Sequence, residues 1–317
     1  MNRIIKTTII VCAIICVVAG IAVRVYFAGP PGDSANVKPD AITQNEPIIA
    51  PAPEPTPESE SESEAESEQE LTPPEEDNVV EPSITFSDAE LLSCAGDVYY
   101  GVYYFGKETY YSSGNSAKTP AASVIKVFIM QYIYEQAANG VITLDDNIDG
   151  QNIGRLVRAM IQRSDNAATN VLIDHFGMST INASFQNKGY TDTSLERKML
   201  DYDARGSGKD NYTSLDDVMR FLKALYLNRD EYPYSEMLDI LKGQTIKTKI
   251  PLFLPSGIVV ANKTGELDTV ENDVGVVFTE NGDFAIVVLT NNIYNSAKTR
   301  TAIGRLTQEA LQNIPTE

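Results

Sequence analysis

Hydrophobic positions fall into three regimes along this chain. Residues 7–23 are apolar apart from their threonines, with Arg3 and Lys6 before them and Arg24 after. Residues 28–82 scatter their apolar positions without pattern among prolines, serines and glutamates. Beyond Ser83 periodicity appears, switching between the 3.6-residue spacing of helices and the two-residue alternation of strands. Residues 86–92 read as a short helix. Residues 97–104 and 108–111 are tyrosine-rich runs separated by Phe105-Gly106-Lys107, which predicts a hairpin. Helical spacing follows over 121–139, 153–163, 167–175, 179–188 and 214–227, the last opened by Thr213-Ser214 with Asp217 three residues on, in the manner of a capping box. Apolar runs at 257–262, 273–279 and 284–290 predict three strands, the last two joined around Asn281-Gly282. Residues 295–313 predict a closing helix.

Strands near both ends of this region, with helices between them, imply an α+β fold. An antiparallel sheet flanked by helices is expected, with an all-helical subdomain and chain ends that meet. The tyrosines are expected to pack into the sheet rather than form a binding platform.

Charge separates the regimes further. The net charge is −19, and residues 28–82 hold fifteen acids against the single base Lys38, together with eleven of the sixteen prolines. Such a segment buries too little apolar surface to offset chain entropy, so it reads as a disordered acidic stalk. Fully extended it reaches roughly 170 Å. Residues 1–27 read as an N-terminal membrane anchor with the N-terminus inside, the apolar run being at the short end of spanning length. A cleavable signal peptide is the alternative, since Gly20-Ile21-Ala22 supplies small residues. Either way residues 83–317 form one extracytoplasmic domain, expected as a monomer. An acidic domain on an acidic stalk excludes nucleic acid as a partner. Cys12 and Cys16 lie in the apolar run, leaving Cys94 alone, so neither an intradomain disulfide nor a Cys/His zinc site is expected, and no cofactor. The single histidine, His175, ends a helix and is read as structural.

Candidate chemistry starts at Ser123-Val124-Ile125-Lys126, which opens the most apolar helical run. Residues three apart share a helix face, so the Ser123 hydroxyl lies beside the Lys126 amine. A desolvated lysine is able to take the proton of a hydroxyl nucleophile, and the N-terminal end of a helix favours developing negative charge. Ser164-Asp165-Asn166 follows an amphipathic segment, and Lys263-Thr264-Gly265 follows a strand-like run. Ser-x-x-Lys, Ser-Asp-Asn and Lys-Thr-Gly in that order resemble the motif set of class A β-lactamases and penicillin-binding proteins.

The resemblance covers nearly the whole domain and implies a β-lactamase/transpeptidase-like fold. It also implies roles. Ser123 would be the acylated nucleophile and Lys126 its base. Ser164 would pass a proton to the leaving nitrogen, and Asn166 would hold the substrate amide. Lys263 would supply positive charge, Thr264 would bond a substrate carboxylate, and the N–H groups of Ser123 and Glu266 would form the oxyanion hole. Gly265 would line the substrate cleft or simply allow a close approach, and Asp165 is read as tying down its own loop. The substrate would be a β-lactam; a cell-wall D-alanyl-D-alanine peptide is the alternative, as is a sensor that is acylated without turnover.

Two departures stand out. The family's Arg-x-Glu-x-x-Leu-Asn loop corresponds to the stretch around Glu196-Arg197-Lys198-Met199. Arg197 fits, with Asp210 as its expected partner, but Met199 stands where the deacylating glutamate belongs; Glu196, Asp201 and Asp203 are the substitutes in reach. Ser123 and Ser164 are 41 residues apart, a shorter interval than the family's, so a more open cleft and slow deacylation are expected.

Overall fold

The computed structural model describes residues 86–315, so the predicted anchor and stalk lie outside the described residues. In chain order the first elements are α1 (Ala89–Leu92), β1 (Ala95–Tyr104), β2 (Thr109–Ser112) and β3 (Thr119–Pro120), then a 3₁₀ turn at Ala122–Val124 that runs into α2 (Ile125–Ala138). A helical section follows: the small pair β4 (Asn147–Ile148) and β5 (Gln151–Asn152), then α3 (Ile153–Gln162), α4 (Asn166–Phe176), α5 (Met178–Asn187) and α6 (Tyr202–Gly206). The chain continues through β6 (Tyr212–Thr213), α7 (Leu215–Leu227), α8 (Tyr234–Lys242), β7 (Val259–Leu267), β8 (Val270–Phe278), β9 (Phe284–Ile293) and α9 (Ser296–Gln312). The main sheet is antiparallel, in the order β2-β1-β9-β8-β7.

Alternation along the central strands sorts side chains into two cores, as a two-residue period requires. Tyr100, Val102 and Tyr104 of β1 and Phe284, Ile286 and Val288 of β9 face α9, packing with Ile303 and Leu306. The Tyr104 hydroxyl donates to the Ala310 carbonyl at 2.8 Å and ties the sheet to that helix. Tyr99 and Tyr103, with Val287 and Leu289, face the larger helical cluster. The tyrosines are therefore packed sheet residues, and the first and last strands pair directly, Tyr104 opposite Phe284. The fold is the α+β arrangement that the patterning predicts.

Helix α2 is buried from Ile125 through Tyr134, which is why its sequence is apolar on every side. Four other helices are capped: the side chains of Asn152, Asp165, Ser214 and Asn295 each accept the backbone N–H three residues on. The capping box at Ser214 is only half made. Asp217 does not reach back; its carboxylate accepts the Asp192 N–H and the Thr193 hydroxyl instead. Two helices fall outside the periodicity reading. In α8, Met237, Leu238, Ile240 and Leu241 are buried in a helix that starts directly after Pro233; α6 has no buried residue and is held by the Asp201 cap. Strand β7 also runs five residues past Asn262, which puts Lys263-Thr264-Gly265-Glu266 on the strand rather than after it. Among the described residues no helix is long and apolar enough to cross a membrane.

Candidate active site

The edge strand β7, the turn that leads into α2 and the corner between α3 and α4 converge on one point. Ser123 lies in the 3₁₀ turn, one step before the first α-turn, and is half-buried. The turn is fixed to the sheet from behind: the Asn272 side-chain amide of β8 donates to the carbonyls of Pro120 (3.0 Å) and Ala121 (3.3 Å), and the Ala121 N–H donates to the Asn211 carbonyl. A Cβ on Gly265 would stand 2.8 Å from the Ala121 carbonyl oxygen and 3.2 Å from the Ser123 nitrogen. Only glycine lets β7 approach the turn this closely.

Lys126 is wholly buried. Its Nζ donates to the Ser164 carbonyl (2.8 Å), Asn166 Oδ1 (2.8 Å) and Ser164 Oγ (3.2 Å). Those three bonds use every N–H of the ammonium form. Burial pushes its pKa down to about 7, against the nearby Asp165 carboxylate, which raises it. Lys263 is equally buried and donates to Ser164 Oγ (3.0 Å) and the Thr264 carbonyl (2.7 Å). Burial first, and then the charge of Lys126, hold it well below the ordinary lysine value. Ser164 Oγ thus receives an N–H from each lysine. A hydroxyl has two lone pairs and one proton, so both acceptor positions are filled and the proton points elsewhere.

The Glu266 N–H can be placed from the ladder. The Glu271 N–H and carbonyl both engage the Thr290 hydroxyl of β9, on the side of β8 away from β7. Glu266 sits opposite Glu271, so that pair is not hydrogen-bonded and the Glu266 N–H points out from the free edge of the sheet. Asp165 caps α4 through the Ala168 N–H at 2.9 Å, the loop-tying role expected of it. Ala122 (φ 48°), Ser164 (φ 56°) and Leu200 (φ 63°) take left-handed backbone without being glycine. Each such residue costs about 1–3 kcal/mol and persists where surrounding structure holds it.

The loop that carries Met199 has a different character. Arg197 pairs with Asp210 through Nη2 (2.7 Å) and Nε (2.8 Å), as the sequence suggests. Met199 is buried in the helical core, and the Asn170 side chain clamps its backbone, donating to its carbonyl (3.0 Å) and accepting its N–H (2.8 Å). Each nearby acid is engaged elsewhere or turned to solvent: Glu196 with Lys118 and Ser194, Asp201 as the α6 cap, Asp203 exposed on α6. His175 is exposed in the last turn of α4, its ring edge-on to Phe176. Asn170, Asn211 and Asn272 escaped the motif reading. Asn272 stands between Glu271 and Asp273 in the polar first half of β8, where nothing in the sequence sets it apart.

Residues 88–314 match the model of the beta-lactamase enzyme family. The chain belongs to that family. It is 30% identical over 148 residues to an imipenem-hydrolyzing beta-lactamase of Enterobacter cloacae, a match that spans 44% of this chain and about half, 51%, of that protein. The beta-lactamase of Sphaerobacter thermophilus superposes with a TM-score of 0.63 at 27% identity, covering 71% of this chain and 95% of the other. A PBP-A mutant in an acyl-enzyme complex with penicillin G shares the fold, with a TM-score of 0.61 at 23% identity over 68% of this chain and 89% of its own.

Proposed function

We propose that the domain is a serine acyl-enzyme of class A β-lactamase type that opens β-lactam rings through an ester on Ser123 and hydrolyses that ester slowly. The observation that carries the reading is the Ser164 hydroxyl, bonded by both Lys126 and Lys263 next to the Ser123 turn. With a pKa of about 7, Lys126 readily loses a proton near neutrality, and the freed lone pair accepts the proton of Ser123 as its Oγ attacks the lactam carbonyl. The oxyanion is held by the N–H groups of Ser123 and Glu266. The C–N bond then breaks as Ser164 gives its proton to the departing nitrogen and regains one from Lys126. Asn166, whose Oδ1 is engaged by Lys126, keeps its NH₂ for the substrate amide. The Thr264 hydroxyl makes no hydrogen bond among the described residues and is left to bond the carboxylate of a β-lactam. Water must then attack the ester, and Met199 offers it no base. Residues 1–27 anchor the protein, and residues 28–82 carry the monomeric domain outside the membrane.

Intact mass after exposure to benzylpenicillin tests the reading. One added penicillin that persists on the wild type, and no addition to Ser123→Ala, is the expected result. An adduct retained by Ser123→Ala rules the mechanism out. Release of D-alanine from a stem peptide, with no lasting penicillin adduct, would identify a peptidase instead.

A further inference from the structure

Behind Thr264 lies a group of charges that the acyl-transfer reading does not use. Thr264 and Glu266 are two residues apart on β7, so their side chains share the face opposite Gly265. Across the ladder they stand opposite Asp273 and Glu271. Lys249 is completely buried between two glutamates, its Nζ 2.7 Å from Glu266 Oε1 and 2.9 Å from Glu271 Oε2. Arg300, reaching in from α9, sets Nη2 2.7 Å from Glu271 Oε1 and 3.3 Å from Glu266 Oε2. The Ser296 hydroxyl closes the group on Glu271. Of these carboxylates Glu271 is sealed, whereas Glu266 has 39% of its side chain exposed and Arg300 has 34%.

At this end of the cleft the two basic side chains Lys249 and Arg300 are set against the two carboxylates Glu266 and Glu271. Lys263 adds less than a full charge because burial and Lys126 depress it. Asp273, raised to about 6 by burial, adds negative charge at neutral pH. Burial alone would raise the Glu266 carboxyl, but the Lys249 hydrogen bond and charge, followed by Arg300, outweigh it and keep the group ionised. A substrate carboxylate next to Thr264 therefore meets no surplus of positive charge.

We propose that Glu266 is a specificity-determining residue: its carboxylate occupies Lys249 and Arg300 at the rim beside Thr264, and so sets the site for acyl donors whose matching end is uncharged, such as an ester or amide rather than a free carboxylate. This rests on the acyl-enzyme reading above. It assigns the Glu266 side chain a task separate from that of its backbone N–H.

The probes are benzylpenicillin and its methyl ester, which differ in that one charge, and the readout is the ratio of their acylation rates by intact mass. Glu266→Gln keeps the N–H and leaves both cations paired with Glu271, so the fold is retained. The ratio of free acid to ester should rise about tenfold in this variant. Arg300→Gln alone should lower the ratio, and the same change in the Glu266→Gln background should return it toward the wild-type value, opposite effects of opposite charges that a purely structural role would not give. A ratio unmoved by Glu266→Gln, with Ser123 still acylated, overturns the charge assignment and spares the acyl-enzyme reading. Failure of both probes to label the wild type overturns both readings.

Discussion

The corner at Ser123 and the loop at Met199 are built from opposite materials. At the first, two lysines with no exposed surface are held among hydroxyls, carbonyls and an amide, and every proton donor of Lys126 has an acceptor within 3.2 Å. At the second, a methionine enters the helical core and only its backbone is clamped, by Asn170. Burying an amine is unfavourable unless it is fully bonded, and a corner that accepts that cost for two lysines on one hydroxyl suits proton transfer, whereas the buried Lys249 is paired with two glutamates. Burying a methionine is favourable and does no chemistry. On the acyl-enzyme reading proposed above, the difference separates acylation, whose expected groups are present, from hydrolysis of the ester, for which position 199 offers no base.

The largest expected effect breaks the first half of that comparison. Lys126→Met removes the base and should slow acylation about 10²–10⁴-fold. In the wild type the lysine pKa is depressed to about 7, so the reactive neutral form is lost as the pH falls below that value and saturates above it. Acylation rate plotted against pH should climb through about 7 to a plateau, with the midpoint belonging to the coupled lysine pair. A flat profile in the wild type, or a variant acylated at the wild-type rate, would assign the proton to another group.

Next in size is the contact between strand and turn. Gly265→Ala places a methyl 2.8 Å from the Ala121 carbonyl, so backbone must move and the two N–H donors at Ser123 and Glu266 lose their alignment. Loss of one such donor typically costs about 10²–10³ in rate, and acylation should fall about 10²-fold with little change in overall stability. Gly106→Ala, which meets nothing within 4 Å, is the control.

Both halves were legible to different degrees for physical reasons. The three tripeptides name side chains whose chemistry is local to each motif, and the alternation of β1 and β9 dictated the two cores without any tertiary knowledge. The extent of β7 was not legible, because Lys263 and Thr264 look like a polar strand end until their burial against the turn is seen. Asn272 and Lys249 act only through partners far away in sequence, on the turn before Ser123 and on Glu266, and no local pattern announces such pairs. Helix α8 was missed for a simpler reason: a short apolar run after a proline also fits a turn, and only packing decides.

The second half of the comparison can be repaired in principle. Met199→Glu puts a carboxylate at the loop position that lacks one, and the adduct on Ser123 should disappear roughly tenfold faster while acylation changes less. Desolvating the new carboxylate costs stability, since Met199 is buried, so a lower Tm is expected alongside the faster phase. An adduct lifetime unchanged in a folded variant would mean that the loop does not bring position 199 to the ester.

The smallest expected effect tests whether the two regions are mechanically separate. Asn170 spends both ends of its amide on the Met199 backbone, and Asn170→Ala leaves a buried-side N–H and carbonyl without those partners. Unmet backbone groups of this kind cost about 1–3 kcal/mol. In a domain of this size that lowers Tm by a few degrees for each kcal/mol. The acylation corner gets its rigidity from other sources, namely Asn272 and Asn211 behind the turn and Asp165 capping α4. Acylation of Asn170→Ala should therefore stay within about twofold of wild type while the melting temperature falls. A drop in acylation as large as that of Gly265→Ala would show that the loop and the catalytic corner form one unit, and the division between them would not hold.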